Sequence, residues 1–195
     1  MPWFISTETG DHRRLNWEEV TDADGKDIAP YHWSLPTMIP DVSTWPLPFR
    51  QVSKHKTIPD ICGGRYTGVI FVSKAFKELV EAMDPVQHIF IPLHLYLYDG
   101  RETVGEHFLF KFGSFVDGIV IEQSEVKKVI DRKGSFWRLD HGIGAKITWR
   151  ENEINNRHVW ADKYLPHDMY CSDSFMSELK VRKMGNFDKI QSFIL

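Results

Sequence analysis

The stretch from His88 to Phe112 leaves the backbone little choice. Ile89, Ile91, Leu93, Leu95 and Leu97 occupy alternate positions, with His88, Phe90, His94, Tyr96 and Tyr98 on the other face. A period of two places such sets on opposite sides of an extended strand. Asp99-Gly100 suits a tight reversal, and alternation resumes between Val104 and Phe112 through Glu106, Phe108, Phe110 and Phe112. The pattern predicts a β-hairpin.

Strand–helix patterns stand on either side of it. Tyr66–Val72 is β-branched and aromatic and predicts a buried strand. Ser73 follows as a helix N-cap, because its hydroxyl can satisfy a free N–H of the first turn. Phe76, Leu79, Val80 and Met83 recur at helical spacing, and Asp84-Pro85 ends the helix. His167–Cys171 predicts a short strand and Ser172 a second N-cap, with Phe175, Met176 and Leu179 on one helix face. Lys180, Arg182 and Lys183 fall in its last turn, where cations suit the helix dipole, and Gly185 is a natural C-cap. Each unit runs apolar strand, Ser cap, then Phe three residues on. Convergent capping and an ancient duplication both account for that echo. Val116–Ile121, Ser135–Leu139, Ala145–Trp149 and Asn156–Asp162 are further strand candidates, and Ser124–Ile130 reads as either a helical turn or a strand end. The expected fold is α+β: a mixed, mostly antiparallel sheet with a few helices, including strand–helix units at about residues 66–84 and 167–185.

The first fifty residues differ in character. They hold Glu8, Asp11, Glu18, Glu19, Asp22, Asp24, Asp27 and Asp41 against Arg13, Arg14, Lys26 and Arg50. They also carry four of the seven tryptophans and six of the ten prolines, a density that interrupts regular elements. Residues 1–58 are expected to wrap over a main domain at 59–195 as loops, short strands and one helical turn near Asn16–Val20.

Composition limits the function. A chain of 195 residues with 42% hydrophobic residues can bury a real core. A net charge of −3 supplies no global basic field for nucleic acid. The N-terminus lacks the basic start and apolar run of a secretion signal, and no apolar run approaches the ~20 residues that span a bilayer. Two cysteines, Cys62 and Cys171, suggest free thiols in a reducing compartment. A cytoplasmic protein, monomeric or weakly self-associating, is expected.

No motif for catalysis emerges. His88 and His94 lie six residues apart on one strand, about 20 Å, so one zinc ion cannot take both. The run Asp22-Ala-Asp24-Gly25-Lys26-Asp27 places glycine fourth rather than sixth and ends its twelfth position on Trp33, so a turn explains it better than a calcium loop. Cys62-Gly63-Gly64 lacks the Lys-Ser/Thr of a phosphate loop, and Gly142-Ile143-Gly144 lacks the third glycine of a dinucleotide fingerprint. Cys171 and Ser172, near His167, have no nucleophile-elbow pattern around them. Asp140-His141 is the most enzyme-like pair, but neighbours on a turn point apart. The expectation is a non-enzyme without metal or cofactor. An enzyme with a site around Asp140, His141 and His167, or an adaptor subunit, is the alternative.

Several segments carry a resemblance: Pro59-Asp60-Ile61, the strand into Val72-Ser73 and its helix, and Gln87-His-Ile-Phe-Ile-Pro92-Leu. Val116-Asp117-Gly-Ile-Val-Ile-Glu122-Gln-Ser124-Glu125 and Met169-Tyr-Cys-Ser172 through Gly185-Asn-Phe187 extend it. With them the chain resembles polymorphic-toxin immunity protein family 11. The resemblance implies a bacterial protein that binds and neutralises a cognate toxin, and it carries no catalytic residues onto this chain. With no export signal in view, the toxin is expected to act in the cytosol. Glu18, Glu19, Asp22, Asp24, Asp27 and Trp33 are the expected partner-binding residues, an acidic and aromatic set suited to a basic toxin. Ser73 and Ser172 are expected as structural caps. Neither nucleic acid nor membrane is an expected partner.

Overall fold

The computed structural model describes residues 2–6, 17–19, 47–51, 57–63, 69–103, 107–131, 134–140, 145–184, 186–188 and 191–194. In chain order the strands begin with β1 (Trp3–Ser6), β2 (Trp17–Glu19), β3 (Leu47–Gln51), β4 (Ile61–Gly63) and β5 (Ile70–Ser73). Helix α1 (Lys74–Met83) leads to β6 (Ile89–Tyr96), β7 (His107–Lys111), β8 (Phe115–Val116), β9 (Val126–Asp131), β10 (Gly134–Leu139) and β11 (Lys146–Trp149). A short α2 (Glu151–Ile154) precedes β12 (Val159–Asp162) and β13 (Met169–Cys171). Helix α3 (Asp173–Arg182), β14 (Asn186–Asp188) and β15 (Gln191–Ile194) complete the order. The fold is α+β with mixed, mostly antiparallel sheets.

One sheet has six strands in the order β2-β3-β6-β7-β5-β4, and a second has five, β14-β1-β13-β12-β8. The hairpin expected around Asp99-Gly100 forms the centre of the first. Its strands pair antiparallel from Ile89↔Lys111 to Leu93↔His107, and Gly100 takes φ +82° in the reversal. Parallel pairing of β3 with β6 and antiparallel pairing of β2 with β3 extend this sheet. In the second sheet β1 hydrogen-bonds between β13 and β14.

Both sheets carry core clusters on both faces, although Pro92 and His94 of β6 stay exposed, and this decides where each side chain goes. Along β5, Ile70 and Val72 enter a core shared with Phe76, Leu79 and Val80 of α1, whereas Phe71 faces a second cluster with Phe49, Cys62 and Leu95. Along β13, Met169 and Cys171 join the shared core, whereas Tyr170 packs in a third cluster with Trp149 and Trp160. The shared core therefore draws on both sheets and both long helices. At its centre Phe76 meets Phe110 at 6.1 Å and Phe175 at 5.9 Å, edge to face in both cases. Burial of both faces also explains why β7 is buried at every position, its terminal His107 and Lys111 included, rather than half solvated.

The two strand–helix units correspond beyond their caps. Each begins with an antiparallel hairpin, β4–β5 or β12–β13, in the registers Ile61↔Val72 and Val159↔Cys171. The Ser73 N–H donates to the Asp60 carbonyl at 2.9 Å, and the Ser172 N–H donates to the His158 carbonyl at 3.1 Å. In both units the donor is the cap serine and the acceptor is the residue just before the hairpin's first strand.

Several expectations fall differently. Residues 17–19 form strand β2 rather than a helical turn, because β3 offers them an edge to pair with. The strand expected over Val116–Ile121 stops at Val116, and Ile121–Gln123 forms a single 3-10 turn. Ser124–Ile130, open between two readings, contributes strand β9 from Val126. Strand β12 starts at Val159 because Asn156, at φ +62°, still belongs to a turn. The left-handed C-cap of α3 is Lys183 (φ +56°), while Gly185 lies outside the described residues. Residues 66–68 of the first expected strand also lie outside them.

Candidate functional site

The groups most suggestive of catalysis are engaged in holding the fold. Ser73 Oγ accepts the Phe76 N–H at 3.3 Å and donates to Asp60 Oδ1 at 2.5 Å. Ser172 Oγ accepts the Phe175 N–H at 3.2 Å, with His158 Nδ1 at 3.0 Å and Ser174 Oγ at 2.9 Å. Both serines thus occupy N-caps, the geometry that ends a helix rather than exposes a nucleophile. Cys62 and Cys171 are free and buried. Burial pushes the Cys62 thiol up to about 12 and raises Cys171 as well, which suppresses the reactive thiolate.

Asp140, His141 and His167 are not shown as one centre. Asp140 forms an ion pair with Lys127 at the foot of β9–β10. His141 lies outside the described residues, and His167 is exposed in the turn before β13. Among the described residues no three His, Cys, Asp or Glu side chains come together as metal ligands would. His88 is buried, whereas His94 is exposed beside Glu102 at 3.0 Å.

Two buried carboxylates organise backbone instead. Asp84, just past α1, accepts the N–H groups of His158 and Val159, both at 2.6 Å, and that of Val86 at 2.8 Å. Burial raises its carboxyl, but the bonds from His88, Val159, Val86 and His158 outweigh this and hold it below the ordinary value. Asp84 borders an open depression of about 220 Å³ that His88 and Phe90 also line. Its lone pairs are already spent on backbone, so it offers that depression little chemistry. Asp162 accepts the N–H groups of Gly118, Ile119 and Tyr164 at 2.8, 3.0 and 2.8 Å, which fixes the loop after β8. Close packing sets two glycines there and nearby. A Cβ on Gly118 would lie 3.1 Å from Trp149, and one on Gly113 only 1.9 Å from the Gln87 carbonyl oxygen. The segments Gln87–Leu93 and Val116–Glu125 singled out in the sequence are therefore places where the chain is braced.

The expected partner-binding set is divided. Glu18 and Glu19 lie on β2, the end strand of the six-stranded sheet, with Glu18 in register with Arg50. Asp22, Asp24, Asp27 and Trp33 lie outside the described residues. Of the N-terminal tryptophans, Trp3 packs on the shared core, donates to Asp173 Oδ1 at 2.7 Å and sits under the Lys180 ammonium at 4.3 Å.

Sequence reasoning passed over the exposed apolar side chains. Ile130 and Phe136 on β9–β10 are 79% and 47% exposed, and Val181 on α3 is 77% exposed. Neither strand shows a clean alternation, since β9 reads Val-Lys-Lys-Val-Ile-Asp and β10 Gly-Ser-Phe-Trp-Arg-Leu, so nothing in the pattern distinguishes a face that packs from one that stays bare.

The geometry is that of a braced scaffold whose chemically promising groups serve as caps, ion pairs and backbone acceptors. A search of the curated proteins gives no match. A family model described as Immunity protein family (Imm11) matches residues 9–191. That match covers nearly the whole chain, so the chain belongs to the Imm11 immunity protein family.

Proposed function

We propose that this protein neutralises a cognate toxin by binding it stoichiometrically and occluding its active site or the path of its substrate. The observation that carries this reading is the family match across residues 9–191. The structure is consistent with it, because Ser73, Ser172, Asp84 and Asp162 are committed to holding backbone in place. A rigid scaffold suits inhibition by binding, since little conformational freedom has to be surrendered on association. A stable complex of this kind buries roughly 1,200–2,000 Å² in total.

The toxin's site of action is proposed to be the cytosol, and two buried free thiols fit a protein kept in a reducing compartment. The acidic set Glu18, Glu19, Asp22, Asp24 and Asp27, with Trp33, is proposed to steer a basic toxin surface into contact. An excess of acidic over basic residues in the first fifty positions motivates that assignment.

Titration calorimetry with the purified product of the neighbouring gene, the candidate for the cognate toxin, tests the proposal. A one-to-one complex that abolishes the toxin's activity is expected, and an unimpaired toxin in the presence of excess protein would refute it. For the steering role, reversing the five acidic charges should slow association at low salt. An unchanged association rate there removes that role.

A further inference from the structure

Strands β9 and β10 stand apart from both large sheets. They pair only with each other, in the register Val126↔Leu139 to Asp131↔Gly134, and neither has another strand partner among the described residues. A lone two-stranded ribbon is marginal in water, so it needs an anchor. The anchor is at its foot. Val126, Trp137 and Leu139 pack against the third core cluster, and Trp137 meets Tyr164 edge to face at 5.8 Å. The Asp140 N–H donates to the Glu125 carbonyl at 2.8 Å, the Glu125 N–H donates to the Lys146 carbonyl at 2.8 Å, and Lys127 pairs with Asp140.

The outer half is different. Cross-strand partners share a face, so Val129 and Phe136 form an apolar pair on one side, with Lys127 and Arg138 in the next row toward the foot. Ile130 ends the opposite face beyond Lys128 and Trp137. Ile130, Phe136, Lys128 and Arg138 are all exposed. Charge separates this ribbon from the rest of the chain. Lys127, Lys128 and Arg138 are balanced within the two strands by Asp131 alone, on a protein whose net charge is −3. An aromatic beside an arginine, flanked by further cations and bare aliphatics, is the composition of an interaction hot spot.

We propose that the β9–β10 ribbon is a preformed docking arm that inserts into an acidic cleft of the cognate toxin, with Phe136 and Arg138 on one face of the ribbon and Ile130 and Lys128 on the other. Phe136 and Ile130 supply the apolar anchors, and Lys128 and Arg138 supply the complementary charge. This rests on the toxin-binding reading above. It adds a basic contact to the acidic one proposed for the N-terminal segment, so the toxin should present both signs of charge. Because the foot of the arm is already fixed, binding need not order it.

Biolayer interferometry of the full chain against the purified product of the neighbouring gene, the candidate for the cognate toxin, tests the arm. Phe136→Ala and Ile130→Ser should each weaken binding about tenfold or more, with unchanged circular dichroism and thermal midpoint. The double reversal K128E/R138E should slow association about tenfold at low salt and less at high salt. Val181→Ser, an exposed apolar change on α3, should leave binding unaltered. If the unsubstituted protein binds while all arm variants bind within about twofold of it, the arm is not the docking surface and the toxin-binding reading survives. Failure of the unsubstituted protein to bind overturns both. Two further results overturn the arm's assignment: capture of a labelled DNA duplex that K128E/R138E abolishes while toxin binding persists, or a homodimer in sedimentation that Ile130→Ser dissolves while toxin binding persists.

Discussion

Asp84 ties together two stretches of backbone that are far apart in the chain. Its carboxylate joins the end of α1 to the start of β12 through the His158 and Val159 N–H groups. Asp84→Asn leaves that geometry without its charge-assisted bonds and should cost roughly 2–4 kcal/mol at neutral pH. The folded carboxyl titrates below the ordinary value of 3.8, so its contribution is complete above that pH and fades as pH falls through the lower folded value. The difference between the two proteins in urea unfolding should therefore shrink in acid. Asp168 has the opposite sign. Burial, only partly opposed by the Tyr170 hydroxyl, pushes its carboxyl up to about 6. Its protonated form suits the fold, so its contribution is full below 3.8 and is lost as pH rises through 6. Asp168→Asn should consequently gain roughly 1–2 kcal/mol over the unsubstituted protein at pH 7 and nothing below about pH 4, read from thermal unfolding across pH. Neither carboxylate could be picked out from sequence. Asp84-Pro85 announces the end of a helix, but the partners of Asp84 lie 74 and 75 residues away and no local pattern encodes them.

At the scale of elements, the hairpin–helix units carry the core. Phe76 and Phe175 occupy the same place in each, three residues past the cap, and meet edge to face. Truncating either to Ala should cost about 3–5 kcal/mol. The double variant should cost less than the sum by about 0.5–1.5 kcal/mol, since their mutual contact is counted in both single losses. Denaturant unfolding of the four proteins measures this, and strict additivity would show that the two rings do not sense each other. These elements were legible because caps, helical spacing and alternation are local. The hairpin at Asp99-Gly100, α1 and α3 all lie where those signals place them. Strands β2, β3, β14 and β15 were not legible, being short segments whose pairing partners are distant in the chain, and β4, next to its partner β5, is only three residues long. Helix α2, four residues long, gave too little periodicity to detect. The shared register and the matching hydrogen bonds to Asp60 and His158 extend the correspondence between the units past anything capping requires. That favours a duplicated origin over convergence.

For the whole molecule, the sequence signalled its family only through soft motifs, mostly apolar strands with serine caps. In the structure some of these segments are braced into the scaffold, through Gly113, Gly118 and Asp162. The surface proposed to meet the partner is another matter. Exposed charge and bare apolar groups are free to vary in pattern: the acidic segment stands out by composition, but the β9–β10 arm does not stand out until the fold shows what is left uncovered. Growth of cells expressing the neighbouring gene, the candidate for the cognate toxin, with and without this protein, tests the central claim most directly. Neutralisation predicts that the toxin arrests growth alone and that coexpression of this chain restores it. A toxin that arrests growth equally in the presence of this protein would contradict the account.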